Sequence, residues 1–495
     1  MLQTYSNLPL QRYANPMLLR RFYDPKLAQA SYLIACARSG DAIVIDPNRD
    51  AEQYVRAADG DGVRITFVTE THIHADFVSG SRELAARTGA RMYLSGEGGS
   101  DWRYDFAEAD DAVTIGDGDT IDVGNVRLTV MHTPGHTPEH LTFLVTDRAV
   151  ADEPMGAVTG DFLFVGDVGR PDLLERAAKV QGTMRDSARA LFASLKRFSE
   201  LPDWLQIWPG HGSGSACGKG ISAVPHSSLG YERRFNWAFA ITGEEKFVRQ
   251  VLEGQPEPPA YFAEMKRVNQ RGPRVLGPLV RPDRLEAAGV IEVVSSGGTL
   301  VDTRPADAFA SRHIPATINI PLNKSFSTWA GSILPYDREL YLLVDDNIAD
   351  RADEAARDLA MIGLDRLAGY FGVDALSAWE DSGRPPGVVP QMSASELATV
   401  MSDGDVQVID VRGAGEWDAG HLPGASNMPL ATLAARVAEI SRDRPVVVQC
   451  QTGGRSAIAA SLLRARGVER IANLRGGFAA WRDAGLPVER NEGEQ

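Results

Sequence analysis

The chain has 495 residues, of which 43% are hydrophobic and 24% are charged. This length exceeds what one hydrophobic core organises, so we expect two to four domains of a soluble globular protein. The net charge of −15 argues against nucleic acid or an anionic membrane surface as a partner.

The cysteine content and the N-terminus bear on location. Cys36, Cys217 and Cys450 lie far apart and form no CxxC pattern, which favours a reducing compartment over a disulfide framework. Residues 1–16 have no apolar stretch after a basic start, and no run of 18 apolar residues occurs in the sequence. We therefore expect a cytoplasmic protein without a membrane segment.

Short strands and helices alternate along the first half of the chain. We predict strands at 30–37, 41–46, 63–68, 92–95, 120–123, 126–131, 141–145, 157–161 and 205–208, and helices at 51–58, 81–88 and 185–200. Polar motifs follow several of these strands, at positions where loops on a rigid scaffold carry function.

The first such motif is the segment 70–76, Glu-Thr-His-Ile-His-Ala-Asp. His72 and His74 are two residues apart, so an extended backbone directs both imidazoles to one side. Taken alone, this pattern fits either a metal site or histidines whose hydrogen bonds are satisfied in the core or at the surface.

Three further motifs follow predicted strands: Thr-Pro-Gly-His-Thr at 133–137, Thr-Gly-Asp at 159–161 and Pro-Gly-His-Gly at 209–212. Together with His-x-His-x-Asp, and in this order, they resemble the motif series of the metallo-β-lactamase superfamily. The resemblance covers roughly residues 17–240. It implies an α/β fold, an αββα sandwich with a metal site at one edge.

One position departs from the hydrolases of this superfamily, which read HxHxDH and bind two zinc ions. Phe77 stands in place of the last histidine, which disfavours a dinuclear hydrolase because the second metal lacks a ligand. His72, His136 and Asp161 can then form a single site. Two histidines and one carboxylate form the facial ligand set of non-haem iron oxygen chemistry.

The persulfide dioxygenases of the superfamily use this set, and the chain resembles them. The resemblance implies one Fe(II) per chain and O2 as a co-substrate, while zinc stays an open alternative. His74, Asp76 and His211 would then orient the ligands, the substrate or water.

Two segments after Asp161 are candidates for substrate binding. Arg170, in a Gly-Arg segment similar to that of the dioxygenases, would hold a substrate carboxylate or brace its loop. The small-residue loop 212–220 contains Cys217 and Lys219, and a neighbouring cation favours a reactive thiolate. The alternative for Cys217 is a small residue packed in a tight loop.

The second half of the chain contains an internal repeat. Leu-Val-Asp-Thr-Arg at 300–304 and His-Ile-Pro-Ala at 313–316 recur 108 residues later, as Val-Ile-Asp-Val-Arg at 408–412 and His-Leu-Pro-Gly at 421–424. Two copies of an α/β unit of about 100 residues follow from this offset. The pattern resembles the rhodanese fold.

The two copies differ where chemistry is expected. In the second copy, Cys450 begins a six-residue loop with two glycines that ends at Arg455 and opens a helix. Such a loop turns backbone amides inward as an anion cradle and activates the thiol. The resemblance implies that Cys450 carries a sulfane sulfur, and we expect Arg455 to complete the cradle.

The first copy has Asp346 at the equivalent position, without the glycine pair, so it cannot carry a persulfide. It is similar to the inactive rhodanese unit of three-domain fusions of the CstB type. We predict a metallo-β-lactamase-fold domain at 1–253, a linker with a short helix at 254–285, an inactive rhodanese-like domain at 286–388 and an active rhodanese domain at 389–495.

The favoured hypothesis is therefore an enzyme of sulfide detoxification. It would oxidise the persulfide of glutathione, coenzyme A or a similar thiol to sulfite, and its rhodanese would form or use thiosulfate. One alternative is a zinc thioesterase of the glyoxalase II kind fused to a rhodanese. Another is a sulfur-relay or sensing protein without turnover. The hypothesis includes no nucleic-acid or membrane partner and expects a homo-oligomer.

Overall fold

The computed structural model describes residues 17–178 and 182–491. It contains two compact units. The first extends to Leu279 and includes Met361–Gly363, and the second comprises Val280–Ala360 and the residues from Leu364 onward. Within the described ranges, no helix is long and apolar enough to cross a membrane.

Two sheets form the centre of the first unit. Among the described residues, one sheet has six strands in chain order: β1 (Met17–Asp24), β2 (Gln29–Cys36), β3 (Asp41–Ile45), β4 (Arg64–Thr69), β5 (Arg91–Ser95) and β6 (Val113–Ile115). The other has the order β12-β11-β10-β9-β8-β7, with β7 (Thr120–Val123), β8 (Val126–His132), β9 (Leu141–Asp147), β10 (Gly156–Gly160), β11 (Gln206–Pro209) and β12 (Ser227–Ser228).

Helices accompany both sheets. Their bounds are α1 (Glu52–Asp61), α2 (Ser81–Thr88), α3 (Leu173–Ala178), α4 (Met184–Phe198), α5 (Leu229–Phe235), α6 (Glu244–Leu252) and α7 (Phe262–Arg271). The predicted helices at 51–58, 81–88 and 185–200 correspond to α1, α2 and α4.

Alternation along β2 shows how the layers pack. Tyr32 lies in the core between the two sheets with Phe143, whereas the next residue, Leu33, lies in the core beneath helix α1 with Tyr54. Because successive side chains of a strand point to opposite faces, β2 is buried throughout. A third core joins the second sheet to α4 and α6, which confirms the predicted αββα sandwich.

The second unit contains two sheets of parallel strands. Their strands are β13 (Thr299–Asp302), β14 (Ile318–Asn319), β15 (Leu340–Leu343), β16 (Leu367–Phe371), β17 (Gln391–Met392), β18 (Gln407–Asp410), β19 (Ser426–Asn427), β20 (Val446–Gln449) and β21 (Ile471–Leu474). The strand orders are β14-β13-β15-β16 and β17-β21-β20-β18-β19.

The helices of this unit are α8 (Val290–Ser295), α9 (Ala306–Ser311), α10 (Phe326–Ile333), α11 (Arg351–Met361), α12 (Asp374–Asp381), α13 (Ala394–Ser402), α14 (Ala414–Asp418), α15 (Leu430–Leu433), α16 (Gly454–Ala465) and α17 (Gly477–Asp483). The two sheets occupy matching positions of the sequence repeat, since β13 and β18 begin 108 residues apart. We call them the first copy and the second copy.

The segment predicted as a linker, 254–285, is divided between the units. Helix α7 belongs to the first unit, where Phe262 and Met265 are buried. Farther along, Arg284 forms a parallel bridge with Tyr370 and so extends the sheet of the first copy beyond β16. Its proline and charge content led to the prediction of a linker. The apolar face of its helix is nevertheless buried in the first unit, and its extended end pairs with the sheet of the first copy.

Candidate functional site

The motif residues meet at one end of the sandwich because each follows the end of a strand. His72 and His74 follow β4, His136 follows β8, and Asp161 directly follows β10. Gly160, the last residue of β10, has φ +48°, and a Cβ there would lie 2.5 Å from the Thr71 hydroxyl oxygen. Glycine therefore allows the Asp161 loop to approach the histidine loop.

His72, His136 and Asp161 form a buried group whose potential ligand atoms lie within 4.8 Å of one another. The His136 Nε2 is 3.5 Å from the Asp161 Oδ2. Among the described residues, neither carboxylate oxygen of Asp161 has a hydrogen-bond partner. A buried carboxylate without hydrogen-bond donors fits a bound cation. The three residues therefore have the chemistry of a metal site.

The two imidazoles are held with their Nε2 atoms free for a metal. The Thr71 hydroxyl donates to Asp46 and therefore accepts from the Nδ1 of His72 at 2.9 Å. The Nδ1 of His136 donates to the Arg170 carbonyl at 3.1 Å. Burial lowers the pKa of both histidines, which keeps them neutral. Both rings are thus neutral and carry their proton on Nδ1, which leaves Nε2 as the atom that can bind a metal.

His74 is placed differently from its neighbour in the motif. Its Nε2 lies 3.1 Å from the Asp46 carboxylate, and it is outside the ligand group. Burial alone would lower the pKa of His74, but Asp46 and nearby carboxylates raise it to about 9. The structure thus places His74 as a charged support beside the candidate ligands.

Asp76 and His211 form a second buried group with Cys217. The His211 Nε2 lies 3.2 Å from Asp76 and 3.4 Å from Asp161. Burial opposes protonation, yet Asp161 and the other partners raise the pKa of His211 well above its ordinary value. A protonated imidazole between two carboxylates compensates their charge inside the protein.

The three substrate-binding candidates have buried or intramolecular partners. Arg170 is fully buried, pairs with both oxygens of Asp172 and donates to two backbone carbonyls. Burial raises the pKa of Cys217 to about 12. The Lys219 ammonium donates to the carbonyls of Gln250 and Glu253. Of the alternatives for Arg170, its hydrogen bonds support loop bracing.

Asp46 was missed by the sequence reasoning although it anchors the histidine loop. Its carboxylate accepts from the Thr71 backbone at 2.6 Å and contacts His74, and its own φ is +53°. The left-handed conformation at the end of β3 turns the side chain toward the loop. The Asp46-Pro47 pair was the available signal, because it marks a strand end.

His140 was also missed, and it contacts every member of the candidate metal group. Its Nε2 accepts from the Asp161 backbone amide at 3.1 Å. Its ring stacks on His72 at a centroid distance of 5.1 Å and meets His136 edge-on at 6.4 Å. The spacing of four residues from His136 was the only sequence signal.

Asn269, in helix α7, supports the same loop from a distant part of the chain. Its amide donates to the carbonyls of His74 and Phe77, and its oxygen accepts from the Ser79 backbone. Phe77, at the position where hydrolases carry a metal-binding histidine, is fully buried against the His74 ring at 4.4 Å.

Cys450 lies at the bottom of the loop between β20 and α16 and is almost fully buried. The Gly453 backbone amide donates to its sulfur at 3.2 Å, and the Ser456 hydroxyl donates at 3.5 Å. Gly453 has φ +99°, a conformation that turns its amide inward. One backbone amide and one hydroxyl of the loop therefore donate to the sulfur.

Two arginines stand near the loop. Arg412 is buried, its guanidinium makes three hydrogen bonds to the Asp410 carboxylate, and its Nη1 is 3.2 Å from the Gln451 side-chain oxygen. Arg455 points its guanidinium at Glu416, with N–O distances of 2.6 and 2.7 Å. The loop end predicted from the sequence is thus tied to helix α14.

The first copy shows what remains when the thiol is absent. Asp346 occupies the position of Cys450 and pairs with Arg284, which also contacts Asp374. The backbone amide of Val373 donates to the same carboxylate. An internal ion pair therefore fills the position at which the second copy presents its sulfur.

Comparisons with known proteins match two families to separate parts of the chain. The metallo-beta-lactamase superfamily model matches residues 24–211, and the rhodanese-like domain model matches residues 393–484. The mitochondrial persulfide dioxygenase ETHE1 of Mus musculus is 32% identical over 202 residues, which cover 40% of this chain and 68% of that protein.

Two further similarities extend the coverage. A sulfurtransferase of Allochromatium vinosum is 36% identical over 107 residues, 21% of this chain and 100% of that protein. The crystal structure of a metallo-beta-lactamase from Staphylococcus aureus subsp. aureus COL is 43% identical, with a TM-score of 0.66, and the match covers 72% of this chain and 99% of that one. The chain belongs to the metallo-β-lactamase superfamily as a homologue of persulfide dioxygenase ETHE1, fused to a C-terminal rhodanese domain.

Proposed function

We propose that the chain is a non-haem iron persulfide dioxygenase that also transfers sulfane sulfur. The observation that carries the proposal is the buried group of His72, His136 and Asp161, with Phe77 where hydrolases have a further ligand. Two neutral imidazoles and one carboxylate leave coordination positions open, as non-haem iron oxygen chemistry requires.

The residues around the metal group have distinct roles in this proposal. His72, His136 and Asp161 would hold Fe(II), which supplies the capacity to activate O2 that side chains lack. His140 fixes the Asp161 loop through its backbone amide, and Asp46 fixes the histidine loop. A thiol persulfide, of glutathione, coenzyme A or a similar carrier, would be oxidised to sulfite and the free thiol.

The second copy would carry out sulfur transfer at Cys450. Its thiolate attacks the sulfane sulfur of a donor, the donor's S–S bond breaks, and Cys450 becomes a persulfide. With thiosulfate as donor the leaving group is sulfite, and the reverse reaction joins sulfite to the carried sulfur. Sulfite is thus the product of one reaction and a sulfur acceptor in the other, which supports coupling in sulfide detoxification.

One observation favours a second candidate function, a zinc-dependent thioester hydrolase. Asp76, His211 and Cys217 form another buried group whose side chains could ligate a second metal ion. Against it, burial raises the pKa of Cys217, whereas metal binding needs the thiolate.

Metal analysis combined with oxygen consumption separates the two candidates. We expect the protein prepared without oxygen to hold about one iron per chain and to consume O2 when glutathione persulfide is added, with sulfite or thiosulfate as product. Zinc in the protein, with no oxygen uptake from glutathione or coenzyme A persulfide and with thioester cleavage, would overturn the dioxygenase proposal.

A further inference from the structure

The ion pair between Arg455 and Glu416 lies at the mouth of the Cys450 loop. Each guanidinium Nη atom donates to one carboxylate oxygen of Glu416, and the side chains of Arg455 and Glu416 are 25% and 41% exposed. The bond to Glu416 chiefly raises the pKa of Arg455, and the nearby Cys450 thiol raises it further. Arg455 ends the six-residue loop that begins at Cys450, and its charge is already paired with Glu416.

The first copy indicates that this pair is unnecessary for the fold. Both copies keep a buried Asp-Arg pair with nearly identical contacts, Asp302–Arg304 and Asp410–Arg412. The position equivalent to Glu416, 108 residues earlier, is Ala308. Arg351, the counterpart of Arg455, instead contacts the Leu322 carbonyl and Glu354. The glutamate thus occurs in the copy that has the thiol, whereas the Asp-Arg pair of the fold occurs in both copies.

Charge distinguishes the reagents that Cys450 would meet. Thiosulfate carries two negative charges on the group that bears the transferred sulfur, and sulfite carries between one and two near neutral pH, so an unpaired arginine at the mouth would attract them strongly. A carboxylate on that arginine competes with such anions and also repels them. Arg412 offers no substitute, because it is buried on Asp410.

We infer that Glu416 is a specificity-determining residue of the Cys450 site. By neutralising Arg455 it lowers the reactivity of the thiol toward anions that carry two charges on the group bearing the reacting sulfur, relative to organic reagents with less charge at that point. The site is thereby biased to accept sulfur from an organic persulfide over inorganic thiosulfate. The inference deepens the proposed function and rests on it for the identity of the donors, but its electrostatic part is measurable without any turnover.

The test compares Glu416→Gln with the native protein in alkylation of Cys450 by iodoacetate, an anion, and by neutral iodoacetamide. Mass spectrometry of the Cys450 peptide gives each rate separately from Cys36 and Cys217. We expect the ratio of iodoacetate to iodoacetamide rates to rise about tenfold, and the rise to shrink at high salt. A change in loop packing would alter both rates together and leave the ratio in place.

Glu439→Gln is the matched control, since Glu439 is exposed and pairs with Arg436 at 2.7 Å in the same copy. We expect it to leave the ratio unchanged within about twofold, as for an isolated surface ion pair. An unchanged ratio in Glu416→Gln, or a Cys450 that reacts with neither reagent in the native protein, would overturn the inference.

Turnover then tests the donors themselves. In Glu416→Gln, we expect kcat/KM for thiosulfate to rise several-fold and kcat/KM for glutathione persulfide to change less. If neither donor loads Cys450 in native or variant protein while the alkylation ratio still rises, the proposed sulfur transfer fails and the electrostatic role of Glu416 stands. If both donors load Cys450 but respond equally to the substitution, the proposed function stands and the inference fails.

Discussion

The candidate metal centre and the Cys450 loop each bury a reactive group, but they differ in the hydrogen-bond donors around it. At the metal centre, the oxygens of buried Asp161 lack hydrogen-bond donors among the described residues. His72 and His136 are held through their Nδ1 atoms, by Thr71 and by the Arg170 carbonyl. In the loop, backbone and hydroxyl donors surround the sulfur of Cys450, and Arg455 is paired with Glu416.

The difference teaches what each site needs from outside the chain. A bound cation would stabilise this buried carboxylate beyond what His211, 3.4 Å away, supplies, so we expect the first site to depend on a metal for its full geometry. The loop is complete as folded and needs only its substrate. We therefore expect substitutions in the two sites to separate cleanly, and the following predictions test that separation in order of decreasing effect.

Cys450→Ser should abolish sulfur transfer. Loss of the nucleophile removes the covalent carrier, so the rate with thiosulfate should fall at least about a thousandfold. Metal content and oxygen consumption with glutathione persulfide should stay at native levels, leaving sulfite as the final product. A parallel loss of oxygen uptake would show that the two sites are not separable.

Asp161→Ala should have the reciprocal effect. It removes a candidate ligand and the buried charge that requires a cation, so metal affinity should fall by more than the roughly 10–100-fold cost of losing an outer partner. Oxygen consumption should disappear while Cys450 transfer persists. Metal analysis after dialysis and the thiosulfate assay together measure both, and retained metal would contradict the ligand assignment.

His140 tests the support of the metal centre. His140→Phe keeps a ring against His72 but removes the acceptor for the Asp161 amide, so we expect about a tenfold loss of metal affinity. His140→Gln retains an acceptor and should recover part of that loss. Titration of the metal-free protein against a chelator measures the difference. Equal losses in both variants would show that the hydrogen bond to Asp161 does not matter.

Glu139 is a buried carboxylate near the candidate metal centre. Its ionisation should make the free energy of unfolding depend on pH. Burial raises its pKa from 4.5 to about 7, and its Oε2 lacks a hydrogen-bond partner among the described residues. The native state therefore binds this proton more tightly than the unfolded state. The stability that Glu139 contributes is present below pH 4.5 and is lost as the pH rises toward 7.

Glu139→Gln keeps the Oε1 acceptor for the Ile73 amide without the charge. At about pH 8 it should raise the free energy of unfolding by roughly 1–3 kcal/mol, and near pH 5 by much less. Chemical denaturation at the two pH values measures this. Exposed Glu153→Gln should have little effect at either pH, and an equal gain at both would contradict the assignment.

The sequence indicated the candidate ligands because each follows the end of a strand, where loops on a rigid scaffold carry function. It did not reveal Asp46, His140 or Asn269 as supports. Asp46 and Asn269 act across 28 and 195 residues of chain on His74. Such contacts depend on how the layers pack, which local patterns do not encode.

Proximity in sequence also misled the interpretation of the loop after His211. Lys219 is two residues from Cys217, yet its ammonium caps the carbonyl end of helix α6. Glycines and a buried thiol in this loop let the two side chains diverge. In the second copy the cradle of Cys450 was predictable from its glycines, whereas the partner of Arg455 lies 39 residues earlier and was not.

The pairing of Arg284 with Asp346 has a practical consequence for dividing the chain. Arg284, just before the first copy, pairs with Asp346 at the position equivalent to Cys450, and its bridge to Tyr370 extends the sheet. A fragment beginning at 286, as the repeat alone suggests, would leave Asp346 without this arginine and expose the edge of β16. Excision of the second unit should therefore start at or before Val280. The residues just before the first copy are part of its sheet, and Arg284 pairs there with the carboxylate that stands in place of the catalytic cysteine.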